Sequence, residues 1–392
     1  MEPALVTVTR PADPPLAGPP AADEIRRVAG GIARYVLSTT TPDRADRLWP
    51  SDYVTLRTNP LNLGYGACGT ALFLHDVLGG LPPEVERWIL DRRIGADSYP
   101  PGLYTGLAGI AYALDRLGHG DRAREVMREA YRSPLLFEDP THFQGVAGWG
   151  WASLLLHRRG LGDELLEWAG RAGDHLLRVA QPEGDGSFWR STSHEMVPLG
   201  FGYGASGIAL FLLQLHGATG EDRFLEGATR GMEFEAAHAG ADAPGDQLRW
   251  GTDVEATGHM PYWLRGTAGV GSALLRFHEH TGDARYLRLA ERAFRGSRSL
   301  MSVAPHQFFG MSGVGEFYLD LYRATGEEAY RREALHMAHG ALHFRIDREA
   351  GIAFPGRHLL RISCDFGMGS AGVGAFLHRL ADPGPRRLHD PE

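Results

Sequence analysis

Side chains that could move protons gather in and beside three long polar segments of the chain. His259 and Tyr262 lie in one segment, Asp365 lies in another, and Tyr203 comes shortly after the third. Imidazole, phenol and carboxyl groups are the usual proton donors and acceptors in enzymes. Long loops inside a compact fold usually carry function, so we expect one site built from all three. The segments are 182–199, 239–264 and 346–366.

Other histidines and both cysteines fit bland structural roles. His142 and the pair His194 and Glu195 are interpreted as loop or helix-capping residues. Cys68 and Cys364 stand far apart and form neither a disulfide framework nor a zinc-spacing motif, which is typical of free thiols in a reducing cytoplasm.

The charge pattern excludes several function classes. The formal net charge is −8, which disfavours binding to nucleic acid. All 40 basic residues are arginine. The absence of lysine excludes Schiff-base chemistry and a P-loop lysine.

A short glycine signature recurs seven times and organises the whole chain. Each copy reads Gly-x-x-Gly and opens a run of small and apolar residues. Repeats at intervals of roughly 40 to 60 residues indicate stacked units, none of which can bury its apolar face alone. The glycine pairs are 66 and 69, 106 and 109, 145 and 148, 204 and 207, 266 and 269, 310 and 313, and 369 and 372.

The segments between the signatures predict a second set of helices. Ranges 163–180, 222–238, 283–300 and 327–344 carry apolar residues at helical spacing with Arg and Glu between them. The runs after each signature are apolar nearly all round, which is typical of buried helices. We predict an all-α fold, an α/α toroid with seven inner and seven outer helices. The inner helix N-termini and the long loops would share one mouth.

One domain accounts for most of the chain. We expect a disordered tail over 1–22, which is rich in Pro and Ala, a toroid over 23–382, and a second tail over 383–392. The sequence has neither a signal-peptide core nor a membrane-spanning run, so a cytoplasmic location without a membrane partner is expected.

The seven signatures resemble those of the lanthionine synthetase C-like family, whose members make thioether rings in lanthipeptides. Segments 48–69 and 365–380 look most like the cyclase domain of the fused class III synthetases. The resemblance implies a toroid that adds peptide Cys thiols to dehydroalanine or dehydrobutyrine. It also implies a ribosomal precursor peptide as substrate, and separate kinase and lyase proteins as partners, because no kinase motif in its proper context is found here.

The sequence departs from the zinc-dependent members of that family at every metal position. Their fifth repeat carries Trp-Cys-x-Gly and their sixth carries Cys-His-Gly, where this chain has Leu264, Phe308 and Phe309. None of these side chains offers a donor to zinc, so no cofactor is expected. The His that precedes the fourth signature is replaced by Tyr203.

Without zinc, the resemblance leaves three tasks for the protein: a base near the thiol, positive charge at the developing enolate, and an acid for the α-carbon. Arg265 is expected where the metal lies in zinc members. His259, Tyr262, Tyr203 and Asp365 are the candidate proton-transfer residues, and Asp365 could equally cap the last inner helix. Trp189, Trp250 and Trp263 are the candidates for contact with the peptide.

Two other functions stay open at this point. A non-catalytic scaffold that binds the peptide and assembles the kinase and lyase would also lose its metal ligands. A carbohydrate-active toroid would need two carboxylates beside the scissile bond, for which Asp253, Glu255 and Asp365 are the candidates.

Overall fold

The computed structural model describes residues 22–240, 246–298 and 302–390. The predicted N-terminal tail lies outside these residues, except for position 22. The described residues form fifteen α-helices: α1 (Ala22–Ser38), α2 (Val54–Arg57), α3 (Ala67–Leu78), α4 (Pro83–Leu90), α5 (Leu107–Arg116), α6 (Gly120–Tyr131), α7 (Val146–Arg158), α8 (Glu164–Val179), α9 (Ala205–Thr219), α10 (Asp222–Ala237), α11 (Thr267–Thr281), α12 (Ala284–Ser297), α13 (Met311–Thr325), α14 (Glu328–Leu342) and α15 (Ser370–Ala381).

The odd-numbered helices from α3 to α15 are the seven inner helices. Each contacts the next inner helix, and α15 contacts α3, which closes the ring. The outer ring consists of α1 and the even-numbered helices from α4 to α14. Each of α4 to α14 packs on the inner helix before it, whereas α1 packs on α15 and so joins the two ends of the chain. The predicted toroid is therefore confirmed.

The glycine signature has a steric cause that is the same in all seven repeats. The first glycine is the residue before the inner helix, where an added Cβ would press on backbone of the preceding loop. The second glycine faces the carbonyl oxygen of the residue six positions earlier. A Cβ on Gly109 would lie 1.7 Å from the Leu103 oxygen, and the other six distances run from 1.9 to 2.2 Å. Any side chain at these positions would push the loop off the helix.

A closed ring of seven backbone hydrogen bonds joins the loops where the inner helices begin. In each repeat, the residue two positions before the first glycine donates its N–H to the carbonyl of its counterpart in the next repeat. The N–O distances are 2.7 to 3.1 Å, and the last residue bonds back to the first. This hydrogen-bonded ring places all seven helix N-termini at one face, the mouth. Its members are Gly64, Tyr104, Phe143, Gly202, Leu264, Phe308 and Gly367.

Aromatic side chains fill the centre of this ring. Tyr104 stacks on Phe143 with ring centroids 4.9 Å apart, and Phe308 meets both edge-on at 5.4 and 5.3 Å. Tyr65 and Trp263 pack on Phe308 from two further sides. We call these five residues the aromatic floor. It divides the bore into a pocket at the mouth and a cavity of about 270 Å³ on the other side.

The segment 383–390, predicted as part of a tail, lies inside the bore below the aromatic floor. Asp390 pairs with Arg276 at 2.7 Å and with Arg323 at 2.9 Å. The indole N–H of Trp151 donates to the Leu388 carbonyl at 2.7 Å, and that of Trp263 donates to His389 at 3.0 Å. The C-terminal segment therefore connects inner helices on different sides of the ring.

Two of the predicted long loops contain short antiparallel hairpins. Strands β1 (Gln181–Glu183) and β2 (Gly186–Phe188) form one hairpin, and β3 (Ile346–Arg348) and β4 (Gly351–Ala353) form the other. None of the helices in the described part of the chain has both the length and the apolar character that a membrane crossing requires.

Candidate functional site

The mouth holds an open pocket of about 640 Å³ above the aromatic floor. Loops from several repeats contribute its walls, because each loop that leads into an inner helix ends at the hydrogen-bonded ring. The titratable side chains that line the pocket are Tyr53, Tyr65, Glu138, Asp139, Tyr203, Arg265 and Arg357. This pocket is the candidate site.

Arg265 forms the centre of the polar cluster in the pocket. Its Nη2 donates to Nε2 of His194, and its guanidinium lies over the Tyr203 ring, 4.9 Å from the centroid. The His194 ring also contacts Tyr203, with centroids 4.5 Å apart. All three side chains are half-buried, so one face of the cluster remains open to a ligand.

The hydrogen bonds of His194 define its tautomer. A guanidinium can only donate, so Nε2 of His194 must accept and the proton lies on Nδ1. Nδ1 faces the hydroxyls of Ser193 at 3.1 Å and Ser191 at 3.2 Å. Partial burial and the nearby Arg265 charge lower the pKa of His194 to about 4. The imidazole is therefore neutral at physiological pH.

Asp139 anchors the loop that carries His194. Its carboxylate accepts from the Ser191 hydroxyl at 2.8 Å and from the backbone N–H and hydroxyl of Thr192 at 3.2 and 3.1 Å. The other oxygen accepts the backbone N–H of Thr141 at 2.9 Å. The chain from Asp139 through Ser191 and His194 thus holds the Arg265 guanidinium in place.

Tyr203 keeps its phenol proton. Burial raises the pKa of Tyr203 above its usual value, and this effect outweighs the opposing influence of the Arg265 charge. A protonated phenol beside a fixed cation can donate a proton to a carbanion or enolate formed in the pocket.

A second arginine also lines the pocket. Arg357 pairs through Nε with Asp52 at 2.6 Å and stands over the Tyr53 ring. Burial raises the pKa of Tyr65, as it does that of Tyr203; the charge of Arg357 opposes the rise at both phenols, and that of Arg265 opposes it at Tyr203. These two phenols and the two guanidinium groups therefore line the same pocket.

Asp365, a predicted proton-transfer residue, is buried beside the pocket, and its carboxyl bonds to its own loop and to the segment before α2. It accepts the Asp52 N–H at 3.1 Å, the Met368 N–H at 2.7 Å and the Ser363 hydroxyl. Burial raises its pKa to about 6. The carboxyl bonds the loop before α15 and caps no N–H of the helix itself, in contrast to the alternative considered from sequence.

His259 and Tyr262 lie at the mouth but outside the lining of the pocket. His259 is exposed and packs against Gly240. Tyr262 accepts a hydrogen bond from Ser302 at 3.0 Å and meets Phe309, which does line the pocket. Of the predicted proton-transfer residues, only Tyr203 is brought into the pocket together with Arg265.

The three tryptophans predicted to contact a peptide are buried packing residues in this structure. Trp189 donates to the Leu176 carbonyl at 2.8 Å, and Trp250 donates to the Glu235 carbonyl at 2.7 Å. Trp263 belongs to the aromatic floor and bonds to His389 below it. The long loops that carry Trp189 and Trp250 fold back onto outer helices α8 and α10 and bury these two indoles.

The residues at the family's zinc positions do not fit a metal ion. Leu264 and Phe308 are 2% and 0% exposed, and Leu264 lines the pocket together with the half-buried Phe309. In the described ranges, no group of three or more His, Cys, Asp and Glu side chains could hold a metal.

The carboxylates considered for sugar chemistry do not gather in the mouth pocket. Asp253 is half-buried and accepts the backbone N–H of Glu255 at 3.1 Å, and Glu255 is exposed. Neither they nor the buried Asp365 line the pocket.

His194, Arg357 and Tyr65 belong to the site but are not among the residues predicted for it from sequence. His194 was interpreted as a loop or capping residue, whereas the structure joins it to Arg265 and Tyr203. It is separated from Arg265 by 71 positions and carries no periodic signal. Tyr65 could have been found, because it directly precedes the first glycine of its signature, as Tyr203 does.

Comparison with known proteins points to one family. Residues 128–391 match the family model described as "Lanthionine synthetase C-like protein". The chain is 30% identical over 382 residues to "Probable SapB synthase" of Streptomyces coelicolor, which covers 93% of this chain. The chain spans only 38% of the length of that curated relative.

Solved structures share the fold at low identity. The structure named "Nisin cyclase" superposes with a TM-score of 0.65 at 16% identity, covering 90% of this chain and 93% of that one. An alpha-1,6-mannanase of Salegentibacter sp. HEL1_6 reaches a TM-score of 0.53 at 11% identity, covering 91% and 98%. At these identities the likeness concerns the toroid alone.

Proposed function

Because the chain belongs to the lanthionine synthetase C-like family, we propose that it closes thioether rings in a precursor peptide. The cysteine thiol of the peptide would add to a dehydroalanine or dehydrobutyrine in the mouth pocket. The dehydrated residues must exist before this step, so kinase and lyase activities acting on the same precursor would precede it.

The Arg265 guanidinium in the mouth pocket is the observation that carries this proposal. Its contacts are a neutral imidazole and a phenol ring. Among the residues the structure describes, no carboxylate forms an ion pair with it. A half-buried cation whose contact partners are neutral can stabilise an anion that arrives or develops beside it.

Thiol addition needs this kind of stabilisation twice. A free thiol has a pKa of about 8.5, so a nearby cation increases its thiolate fraction. The thiol proton leaves to solvent, the sulfur bonds to the β-carbon, and the electrons of the C=C bond move to the adjacent carbonyl as an enolate. Arg265 would stabilise both anions, and the Tyr203 phenol would protonate the α-carbon and regain its proton from water.

We propose that this reaction proceeds without zinc. The three positions that hold ligands in zinc members carry Leu264, Phe308 and Phe309, whose side chains offer no donor to a metal ion. Positive charge would come instead from Arg265 and from the N-termini of seven inner helices at the mouth. Tyr203, which replaces the His before the fourth signature of zinc members, would take over proton transfer.

The experiment incubates the purified protein with a chemically dehydrated model peptide that contains dehydroalanine and cysteine. Ring closure is counted as the loss of thiols that react with N-ethylmaleimide, read by mass spectrometry. We expect closure to survive 1,10-phenanthroline and to fall about 100-fold in Arg265→Met. Arg190→Met removes a cation outside the pocket and is the matched control.

A non-catalytic peptide-binding scaffold is the second candidate. The apolar residues at all three metal positions favour it specifically. If the protein binds the peptide but rings close only at the background rate, the protein is this scaffold and not a cyclase. Closure abolished by the chelator and restored by zinc would overturn the zinc-free mechanism.

A further inference from the structure

Exposed large apolar side chains are distributed unevenly over the two faces of the toroid. Ten are exposed among the residues described, and nine of them lie at the mouth face, in loops that lead into inner helices or at the end of an outer helix. The tenth, Leu78, ends α3 on the opposite face. We call the nine the apolar rim: Tyr53, Leu56, Leu135, Phe137, Val179, Met260, Val303, Leu359 and Leu360.

This asymmetry follows from connection length. The links from each of α3 to α13 to the outer helix after it have two to five residues and leave little surface to decorate. The mouth loops are longer and could have carried polar side chains. Single exposed apolar residues are ordinary, but their concentration around a pocket is typical of an interaction surface.

One part of the apolar rim is held in a costly backbone conformation. His358 and Leu359 have φ values of 57° and 59°, a left-handed conformation that is unfavourable for non-glycine residues. The loop is closed by the Gly356 N–H, which donates to the Arg361 carbonyl at 2.6 Å. Its result is to present Leu359 and Leu360, which are 42% and 79% exposed. Such strain concentrates at functional surfaces.

The apolar rim is continuous with the mouth pocket. Tyr53 and Leu135 are exposed and also line the pocket, and Arg357 connects Tyr53 to the strained loop. A peptide that places a residue beside Arg265 must therefore pass over the rim. A second copy of the chain seated on the same face would cover the pocket and exclude a substrate.

We propose that the apolar rim binds an apolar segment of the precursor peptide that flanks the residues being joined. The inference rests on the proposed function and specifies its substrate: a peptide with large aliphatic or aromatic side chains beside the ring-forming positions. Burial of a few such side chains on Leu359, Leu360 and their neighbours supplies affinity, and the pocket supplies the chemistry.

The test measures binding separately from ring closure. Two fluorescein-labelled peptides share a Ser-x-x-Cys core that cannot cyclise, with Leu-rich flanks in one and Ser-rich flanks in the other. Fluorescence anisotropy gives Kd for each peptide. We expect the Leu-rich peptide to bind about tenfold more tightly to the unchanged protein. The double variant Leu359→Ser, Leu360→Ser should remove most of that advantage.

Leu78→Ser is the matched control, because it removes an exposed leucine from the opposite face. Equal affinity for both peptides, or an equal loss in Leu78→Ser, would overturn the proposal. If sedimentation shows a dimer that the double variant breaks, the rim serves self-association. If the protein floats with phosphatidylcholine vesicles and the double variant does not, the rim binds a lipid surface. If the Leu-rich peptide binds selectively but no ring closes, the proposed cyclase activity is wrong and the peptide-binding role of the apolar rim stands.

Discussion

The arrangement around Arg265 differs from that of three other arginines at the mouth and in the bore. Arg357, Arg276 and Arg379 each pair with a carboxylate, whereas Arg265 contacts a neutral histidine and a tyrosine ring. The carboxylate that acts on it, Asp253, does so without an ion pair. The positive charge of Arg265 is therefore available to a ligand. The residues that position Arg265 then matter for activity as much as Arg265 itself.

Replacing His194 tests whether this residue positions Arg265. We expect His194→Ala to lower the rate of thiol consumption about tenfold with KM little changed, since the guanidinium loses its acceptor and its orientation. His194→Gln should keep most of the rate, because an amide oxygen can accept the same hydrogen bond.

His259→Ala is the matched control for that prediction. The side chain lies at the same face but outside the pocket, so the rate should not change. A larger loss in His259→Ala than in His194→Ala would favour His259, the proton-transfer residue predicted from sequence.

Tyr203→Phe tests the proposed acid. Removing the hydroxyl should slow ring closure by about 100-fold, a typical contribution of general acid catalysis. It should also yield a mixture of configurations at the α-carbon, because solvent then delivers the proton from either side. Chiral gas chromatography of the hydrolysed lanthionine measures that ratio. Tyr262→Phe should leave rate and configuration unchanged, and a single configuration in Tyr203→Phe would exclude the phenol as the donor.

At the level of elements, each inner helix begins at a loop that can only form with glycine at two positions. The close contact is the second glycine against a carbonyl six residues earlier, and it recurs in every repeat. This contact lets the loop fold back over the helix. The residue two positions before the first glycine can then donate its backbone N–H within the hydrogen-bonded ring. The signature is therefore a packing motif, and its strength as a fold predictor follows from local sterics.

Gly109→Ala should abolish folding or reduce stability severely. The new methyl group would lie 1.7 Å from the Leu103 oxygen, and relief requires breaking the loop that carries the ring residue Tyr104. Gly170→Ala is the same substitution in outer helix α8, where nothing lies within 4 Å, and should stabilise by up to about 1 kcal/mol. Urea denaturation compares them, and equal stability of the two variants would contradict the steric account.

Glu235 on outer helix α10 supplies a buried carboxylate to the start of α9. One oxygen accepts the N–H groups of Gly200 and Ser206 at 3.1 and 3.0 Å. Burial is the largest influence on this group and raises its pKa to about 7. The folded protein therefore binds this proton more tightly than the unfolded chain, where the pKa is about 4.3.

The sign of the resulting pH dependence follows from that difference. Stability from this group is present below about pH 4, decreases as pH rises, and is lost above pH 7. Glu235→Gln keeps an oxygen for the two N–H groups without a buried charge. We expect it to gain stability over the unchanged protein between pH 5.5 and 8.5 in urea denaturation. A constant difference across that range would show that the carboxyl does not titrate as proposed.

At the scale of the molecule, the ring was predictable and much of the site was not. Seven signatures of one pattern predict seven equivalent helix starts, and the structure confirms the closed toroid. The site depends on loops without periodicity: His194 meets Arg265 only because Asp139 anchors its segment. Trp189 and Trp250 were expected at the mouth because long loops are usually exposed, but these loops pack on outer helices.

The position of the charged C-terminal segment could not be predicted from the sequence either. Residues 383–390 have the composition of a solvated tail, yet they lie in the bore because the inner helices carry complementary charges that face it. Asp320 pairs with Arg276, Arg379 and Arg386, and these cations depress its pKa. No local pattern predicts such a match, since its partners come from separate repeats.

Removing one charge from the C-terminal segment should therefore destabilise the whole toroid. Asp390→Ala leaves Arg276 with only one of its carboxylates and Arg323 without its ion pair to Asp390. Loss of one partner from a buried ion pair typically costs about 3–5 kcal/mol, so we expect a large fall in the urea midpoint. Asp347→Ala, which removes an exposed ion pair with Arg345, should change it little because surface pairs contribute at most about 1 kcal/mol.

Because the aromatic floor separates the segment from the mouth, peptide binding at the mouth should persist in Asp390→Ala under conditions where the variant is folded. Equal small losses in both aspartate variants would show that the segment does not join the inner helices in solution.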